Sequence, residues 1–194
     1  KDEAIEIESR SNRDIAIIGI SCKIAKANGT KEYWEILRNG EDCIRPLPDV
    51  RKAVNDRFLS HMLIPDDWRT YYDGGFLDEI DKFDYELFSI SPREASLMSP
   101  NQRLFLESAL GSIEDAGYGG KRIRGSKTGV FLGHSTDFGE SYKNIIDAVD
   151  PSLSSLAIPG NINSIIASRI SYLFDLKGPS IVVDTACSSS LAAV

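Results

Sequence analysis

The chain has 194 residues, of which 42% are hydrophobic and 26% are charged, and its formal net charge at pH 7 is −7. This composition is typical of an ordinary globular protein with one sizeable core, or of part of a larger one. The acidic balance argues against a nucleic-acid partner, and no apolar run approaches the ~20 residues of a membrane span or forms a signal-peptide core. We therefore expect a cytoplasmic protein.

A tail and a strand are the first predicted elements. Residues 1–12 are charged and patternless, as in a linker or tail. The continuous apolar run from Ile15 to Ile20 predicts a buried parallel strand. A dinucleotide-binding fold would follow such a strand with GxGxxG, but Gly19, Ser21 and Ile24 occupy the three glycine places, so this motif is excluded.

A short helix and a long irregular stretch come next. Thr30 is predicted to cap a helix that runs through Leu37 and is closed by Gly40. Three residues of the helix form an apolar stripe that we expect to face the core: Tyr33, Trp34 and Leu37. The stretch from Glu41 to Ile80 lacks periodicity, so we expect a packed loop fastened by its aromatic residues, with His61 at the surface.

The middle of the chain predicts an aromatic cluster followed by two helices. The cluster comprises Phe83, Tyr85 and Phe88. Pro92 starts a short helical turn, and Pro100 opens the clearest amphipathic helix, which ends at Gly117. Four of its residues are expected to face inward: Leu104, Leu106, Leu110 and Ile113. Three charged residues are expected to be solvated or paired with one another: Arg103, Glu107 and Glu114.

Strands and helices alternate after this point. Thr128 to Leu132 predicts a second buried strand, with His134 near its carboxyl end, where α/β proteins place functional groups. Residues 137–149 predict a helix, residues 152–158 a connection of small residues, and residues 161–174 a helix buried on a broad side. This order favours a layered α/β fold with a mostly parallel sheet.

The last stretch carries the candidate nucleophile. The run from Ile181 to Val183 predicts a buried central strand, and the small residues after it open an apolar helix with Cys187 at its start. A helix N-terminus presents unpaired N–H groups and partial positive charge, which favour the thiolate that attacks carbonyls. A catalytic pair of Cys187 with His134 stays open. Cys22 and Cys43 form no CxxC pair, so we expect neither a disulfide framework nor a metal site.

One long motif resembles a known family. VDTACSSSLAAV, from Val183 to Val194, resembles the active-site signature of the β-ketoacyl synthase (ketosynthase) domain of modular polyketide synthases, a member of the thiolase-like superfamily. Four further segments resemble the same family in the same order: 14–24, 91–117, 128–133 and 160–180. Two places depart from it. Residues 23–27 stand where the family usually reads like RFPGA, and Ser99 stands where it usually has an aspartate.

The resemblance implies the N-terminal half of a thiolase-like fold, an α/β/α/β/α sandwich with a mostly parallel or mixed sheet. We expect residues 13–194 to be the N-terminal portion of a ketosynthase domain. The family's two catalytic histidines lie in motifs that read like HGTGT and NxGH, which this sequence does not contain. We therefore expect that this portion alone neither condenses substrates nor folds stably.

The implied activity is that of an acyltransferase, the decarboxylative Claisen condensation of polyketide biosynthesis. Cys187 would take the acyl group from an acyl carrier protein thioester, with its own backbone N–H as one oxyanion donor. The resemblance gives His134 no catalytic role. It implies no cofactor beyond the phosphopantetheine arm of the carrier, and as partners acyl carrier protein, adjacent synthase domains and a second copy in a homodimer.

Two alternatives stay open. One is a non-elongating scaffold that retains the fold and binds carrier protein without condensing. The other is a fatty-acid-type or acyl-transfer member of the superfamily.

Overall fold

The computed structural model describes residues 14–135 and 142–194. Helices dominate these residues, with two short strands between them. In chain order the elements are α1 (Thr30–Asn39), α2 (Asp49–His61), α3 (Pro92–Leu97), α4 (Pro100–Asp115), β1 (Val130–Gly133), α5 (Tyr142–Val149), α6 (Ser154–Asn161), α7 (Asn163–Leu173), β2 (Ser180–Val183) and α8 (Ser189–Ala192). None of the described helices combines the length and the apolar character that crossing a membrane requires.

The two strands form a parallel sheet with one covered face. Their register runs from Val130 opposite Ser180 to Gly133 opposite Val183. Leu132 and Val182 pack into the core, whereas Phe131 and Ile181, which lie opposite each other, are exposed. The prediction of a buried central strand is therefore right in position and wrong in burial, because no described element covers the second face.

The core lies where α4 and α7 pack against the covered face. Leu106 of α4 and Ile166 of α7 are among its most completely buried side chains, each 1% exposed or less. The predicted aromatic cluster is confirmed at its edge, where Phe83 stacks on Phe88 with ring centroids 5.1 Å apart. Of the four inward-facing residues predicted for α4, Leu104 alone lies outside the core cluster.

Serine side chains cap the N-termini of α3 and α4. Ser91 Oγ accepts a hydrogen bond from the N–H of Glu94 (3.1 Å) at the start of α3, and Ser99 Oγ accepts one from the N–H of Gln102 (3.4 Å) at the start of α4. Proline follows each cap, where its missing N–H costs no helical bond. Ser99 therefore does the capping that an aspartate would do at this place.

Two of the three charged residues singled out on α4 bind other parts of the chain. Glu107 forms an ion pair with Lys23, and Arg103 donates to the backbone carbonyl of Asp81 (3.3 Å). The expectation that these residues are solvated or paired with one another is therefore wrong for Arg103 and Glu107, and it holds for Glu114, which is exposed.

The predicted strand from Ile15 to Ile20 does not form. Its isoleucines are largely exposed, with Ile15 at 93%. The segment lies along α4 instead of beside a strand, since the N–H of Ile20 donates to Asp115 Oδ2 (2.8 Å) and Gly19 approaches the carbonyl of Ser112 so closely that a Cβ would lie 2.3 Å from its oxygen. A strand forms only where its backbone can pair with the edge of a sheet. This segment is bonded to helix α4 instead.

Helix α1 forms as predicted but differs at its start and on its stripe. Its N-cap residue is Gly29 and not Thr30, which is already helical. Gly40 closes it with φ +61°, the left-handed conformation that glycine adopts without strain. The stripe does not enter the core, since Trp34 and Leu37 are exposed.

Helix α2 occupies the stretch predicted to be a loop. None of its residues is buried. The loop after it is fastened to it by aromatic residues, as expected: Tyr71 Oη donates to Asp56 Oδ1 (2.7 Å), and the Arg51 guanidinium lies 5.2 Å from the centre of the Phe76 ring.

The segment before α7 is more helical than predicted. The expected connection over residues 152–158 is a 3₁₀ turn followed by α6, with Asp150 Oδ1 accepting from the N–H of Ser152 (3.0 Å). Pro159 and Gly160 lie in the last turn of α6, where the helix is ending. The predicted tail 1–12 and the start of the predicted helix 137–149 lie outside the described residues.

Candidate active site

The parallel register brings the residues that follow both strands to one edge of the sheet. Gly133 and Val183 are the last paired residues, and the N–H of His134 continues the ladder by donating to the carbonyl of Val183 (3.0 Å). One residue further, Ser135 Oγ donates to Asp184 Oδ1 (3.5 Å). The predicted placement of functional groups at the carboxyl ends of strands therefore holds for both strands.

Cys187 lies in the turn that leads from β2 into α8. It is the middle residue of a 3₁₀ turn, Ala186–Ser188, and α8 begins two residues later. The side chain of Cys187 is exposed, so a substrate can reach the thiol. Its backbone N–H donates to no acceptor among the described residues. Because α8 spans four residues and aligns few peptide dipoles, this N–H group is the stronger electrostatic feature of the site.

The Ser189 hydroxyl stabilises the turn with two hydrogen bonds. The Ser189 side chain is buried, and its Oγ accepts from the N–H of Thr185 (2.9 Å) and donates to the carbonyl of Ala186 (2.7 Å). Asp184 Oδ1 accepts from the N–H of Ala186 (3.1 Å). These bonds involve the residues on both sides of Cys187 and leave Cys187 itself unbonded.

The backbone of the turn is strained immediately before the thiol. Ala186 has φ +53°, in the left-handed region, which costs an L-residue with a side chain roughly 1–2 kcal/mol. Gly133 supports the turn from the sheet side, since a Cβ on this residue would lie 2.5 Å from the carbonyl carbon and oxygen of Ser189. Only a glycine at the end of β1 lets the start of α8 approach this closely.

His134 is buried at the same edge but points away from the thiol. Its Nε2 lies 3.5 Å from Asn101 Nδ2, and its ring lies beside Phe105 of α4 with centroids 6.2 Å apart. Its Nδ1 is buried and has no hydrogen-bond partner among the described residues. No hydrogen bond joins His134 to Cys187 in the described part of the chain, so the two residues share an edge without forming a pair.

Sequence reasoning singled out Cys187 and missed the residues that hold it. His61 ends α2 and is exposed. Within residues 14–135 and 142–194, no three His, Cys, Asp or Glu side chains are grouped as metal ligands would be. Gly133 carried a signal, because a glycine in a strand indicates close approach by another backbone. Ser189 carried none, because its bonds depend on the backbone conformation of Ala186.

Three comparisons with known proteins bear on this site. The family model described as the β-ketoacyl synthase N-terminal domain matches residues 12–194. The polyketide synthase PksL of Bacillus subtilis (strain 168) is 42% identical over 205 residues and 99% of this chain. The polyketide synthase GfsE of Streptomyces halstedii is 40% identical over 195 residues and 97% of this chain. This chain spans only 4% and 5% of the lengths of those synthases.

Solved ketosynthases have the same fold. The ketosynthase from module 6 of the bacillaene synthase of Bacillus subtilis 168 matches 92% of this chain with a TM-score of 0.68 and 34% identity. The oxazolomycin ketosynthase domain OzmH KS7 of Streptomyces albus JA3453 matches 91% with a TM-score of 0.66 and 30% identity. This chain spans 27% and 30% of those two structures. The thiolase-like α/β fold expected from the sequence is therefore confirmed.

Proposed function

The chain belongs to the β-ketoacyl synthase family, and on that premise we propose that it forms the part of a polyketide ketosynthase that carries the acyl-accepting nucleophile, Cys187. The single observation that carries the proposal is the geometry of the turn at the sheet edge. There an exposed thiol lies beside its own backbone N–H, and that N–H has no acceptor among the described residues.

The proposed step is the transfer of an acyl group from a carrier-protein thioester to Cys187. The thiolate sulfur attacks the carbonyl carbon, and the electron pair of the C=O bond moves onto oxygen. The Cys187 N–H donates to that oxygen, as in other oxyanion holes. When the carbonyl re-forms, the C–S bond to the carrier arm breaks, the carrier thiolate leaves and takes up a proton, and the acyl group remains on Cys187.

In the proposed condensation, a carbanion then attacks the carbonyl carbon of the acyl group on Cys187, and the Cys187 thiolate is the leaving group. Loss of carbon dioxide from a malonyl thioester supplies the electron pair, the new C–C bond forms at the acyl carbonyl, and the bond to the Cys187 sulfur breaks. The residues of this chain support the acyl-transfer step directly, since they supply both the nucleophile and one oxyanion donor. An exposed thiol also favours catalysis over a scaffold that only binds carrier protein.

The partners follow from this reaction and from the relatives. Acyl carrier protein is the proposed acyl donor, and its phosphopantetheine arm is the only cofactor-like group that the step requires. The synthases that this chain resembles are many times its length, which supports adjacent synthase domains in the same protein. We further infer a homodimer in the cytoplasm, as the sequence resemblance implied.

Intact-mass measurement of the full-length protein tests the nucleophile. After incubation with a short acyl thioester of N-acetylcysteamine, we expect one acyl adduct on the wild-type protein and on the control Cys43→Ala, but none on Cys187→Ala. The control is matched because Cys43 is another free cysteine of this chain. An adduct that survives in Cys187→Ala, or a wild-type protein that gains none, contradicts the proposal.

A further inference from the structure

We propose that Ser189 is a positioning residue for acyl transfer, because its hydroxyl sets the direction in which the Cys187 N–H points. This inference rests on the proposed function and assigns a second residue to the same reaction. Ser189 makes no contact with the thiol that the structure records, and it acts through the peptide bond between Ala186 and Cys187.

The argument starts from the planarity of that peptide bond. The carbonyl of Ala186 and the N–H of Cys187 belong to one planar, trans unit, so they point in opposite directions. Ser189 Oγ donates to the Ala186 carbonyl oxygen (2.7 Å), which also accepts from the backbone N–H of Ser189. With the carbonyl held toward Ser189, the N–H of Cys187 must point away from it, and it meets no other described acceptor.

A second bond holds the chain on the other side of Ala186. Ser189 Oγ accepts from the N–H of Thr185 (2.9 Å), so one hydroxyl holds the chain on both sides of Ala186. Ala186 is the residue with φ +53°, and a non-glycine residue leaves this region unless its surroundings hold it there. Rotation of Ala186 to an ordinary φ would turn the attached peptide and swing the Cys187 N–H with it.

The place of Ser189 is itself fixed by the sheet. Its side chain is only 5% exposed, and its backbone carbonyl lies against Gly133, where a Cβ would be 2.5 Å away. The end of β1 therefore fixes the position of Ser189, and Ser189 orients the peptide that carries the oxyanion donor.

The two neighbouring serines supply the contrast. Ser188 Oγ bonds to the carbonyl and the hydroxyl of Thr185, both at 2.9 Å, and not to the Ala186 peptide. Ser190 is exposed and its hydroxyl bonds to no described residue. Ser190→Ala is therefore the matched control, since it removes an identical hydroxyl one position away.

The experiment compares two reactions of one thiol in the full-length protein. The first is single-turnover acylation by an acyl thioester of N-acetylcysteamine, which builds negative charge on oxygen. The second is alkylation by iodoacetamide, which does not. We expect Ser189→Ala to slow acylation about 10-fold or more, and to change alkylation by less than about 2-fold, because only acylation depends on the oriented N–H.

Two further variants complete the test. Ser189→Thr retains the hydroxyl and is expected to recover most of the acylation rate. Gly133→Ala displaces the backbone of Ser189 without removing its hydroxyl, and it is expected to slow acylation more than alkylation. Because both rates are measured on the same folded sample, a low yield of any variant does not disturb their ratio.

The outcomes separate this inference from the proposed function. If the wild-type protein gains no acyl group on Cys187, the proposed function fails. If the wild-type protein is acylated there and Ser189→Ala is acylated as fast, the positioning role alone is refuted. Acylation and alkylation that slow by the same factor also refute it, since a loss of fold would affect both.

Discussion

Residues 81–194 and residues 14–80 are held in place by different kinds of interaction. The main apolar cluster, with the residues packed against it, extends from Phe83 to Val182 and lies wholly in the first region. In the second region neither α1 nor α2 buries a single residue. The part of the molecule that carries Cys187 is thus built mainly by apolar packing, whereas the buried hydrophobic residues of the part that precedes it are limited to Ala25, Ala27 and Leu47.

Directional polar contacts replace the missing packing in residues 14–80. Arg45 shows this, since it donates to the carbonyl of Phe76 (2.8 Å) and to Asp78 Oδ1 (2.5 Å). The contacts of Ile20 with Asp115 and of Lys23 with Glu107 attach the region to α4 in the same way. Solvent-exposed contacts of this kind contribute little each. We therefore expect residues 14–80 to open locally at a lower free energy than the core.

The largest expected difference lies between two leucines, one in each region. Leu106 is completely buried, whereas Leu37 is 54% exposed. In the complete ketosynthase domain, Leu106→Ala is expected to lower the free energy of unfolding by about 2–5 kcal/mol, and Leu37→Ala by no more than about 0.5 kcal/mol. Urea unfolding curves with unchanged slope measure both values. Similar losses at the two positions would mean that the regions do not differ in this way.

A smaller effect is expected at Ser99, where the core region begins its longest helix. Ser99→Ala removes the bond to the N–H of Gln102 and is expected to cost about 1 kcal/mol of unfolding free energy. Ser99→Asp keeps an acceptor at the helix start and is expected to stay within about 0.5 kcal/mol of the natural residue. Urea unfolding curves measure the unfolding free energies of both variants. An alanine as stable as serine would show that the cap contributes nothing.

The smallest effect belongs to the polar attachment of α2. The Tyr71 hydroxyl, followed by the Lys52 ammonium, holds the pKa of Asp56 below its ordinary value of 3.8. A lowered pKa stabilises the fold above pH 3.8, and this contribution is lost as the pH falls through the lowered value. Tyr71→Phe is expected to raise the Asp56 pKa toward 3.8, as measured by NMR titration of labelled aspartate.

Tyr72→Phe is the control for this titration. Tyr72 is the adjacent tyrosine, it is 79% exposed, and its hydroxyl makes no hydrogen bond to the described residues. It is expected to leave the Asp56 pKa where it is. Equal shifts in the two variants would mean that the Tyr71 hydroxyl is not what lowers it.

The sequence predicted the packed region better than the polar one. The helices α4 and α7 and the two strands were predictable because their apolar residues recur at the right spacing, and neighbours cover one face of each of these elements. The run from Ile15 to Ile20 has an equally clear pattern but stays exposed. Apolar spacing shows which residues can be buried, and only the tertiary structure decides which of them are.

The same limit applies to the candidate site. Cys187 was predictable because a β-branched strand followed by small residues is a local pattern. The conformation of Ala186 was not, since alanine gives no signal for a positive φ. The proposed role of Ser189 depends on that conformation, so no signal in the sequence distinguished Ser189 from the two serines beside it.

The register of β1 and β2 sets the position of the Cys187 sulfur along the strand axis. Gly133 opposite Val183 is the last rung of the ladder, and Cys187 follows four residues beyond it. Sliding β2 by one rung would carry the thiol about 3.3 Å along the strand axis and exchange the inward and outward faces of β2. The proposed nucleophile is therefore positioned by the main-chain hydrogen bonds between β1 and β2, before the chain reaches the cysteine.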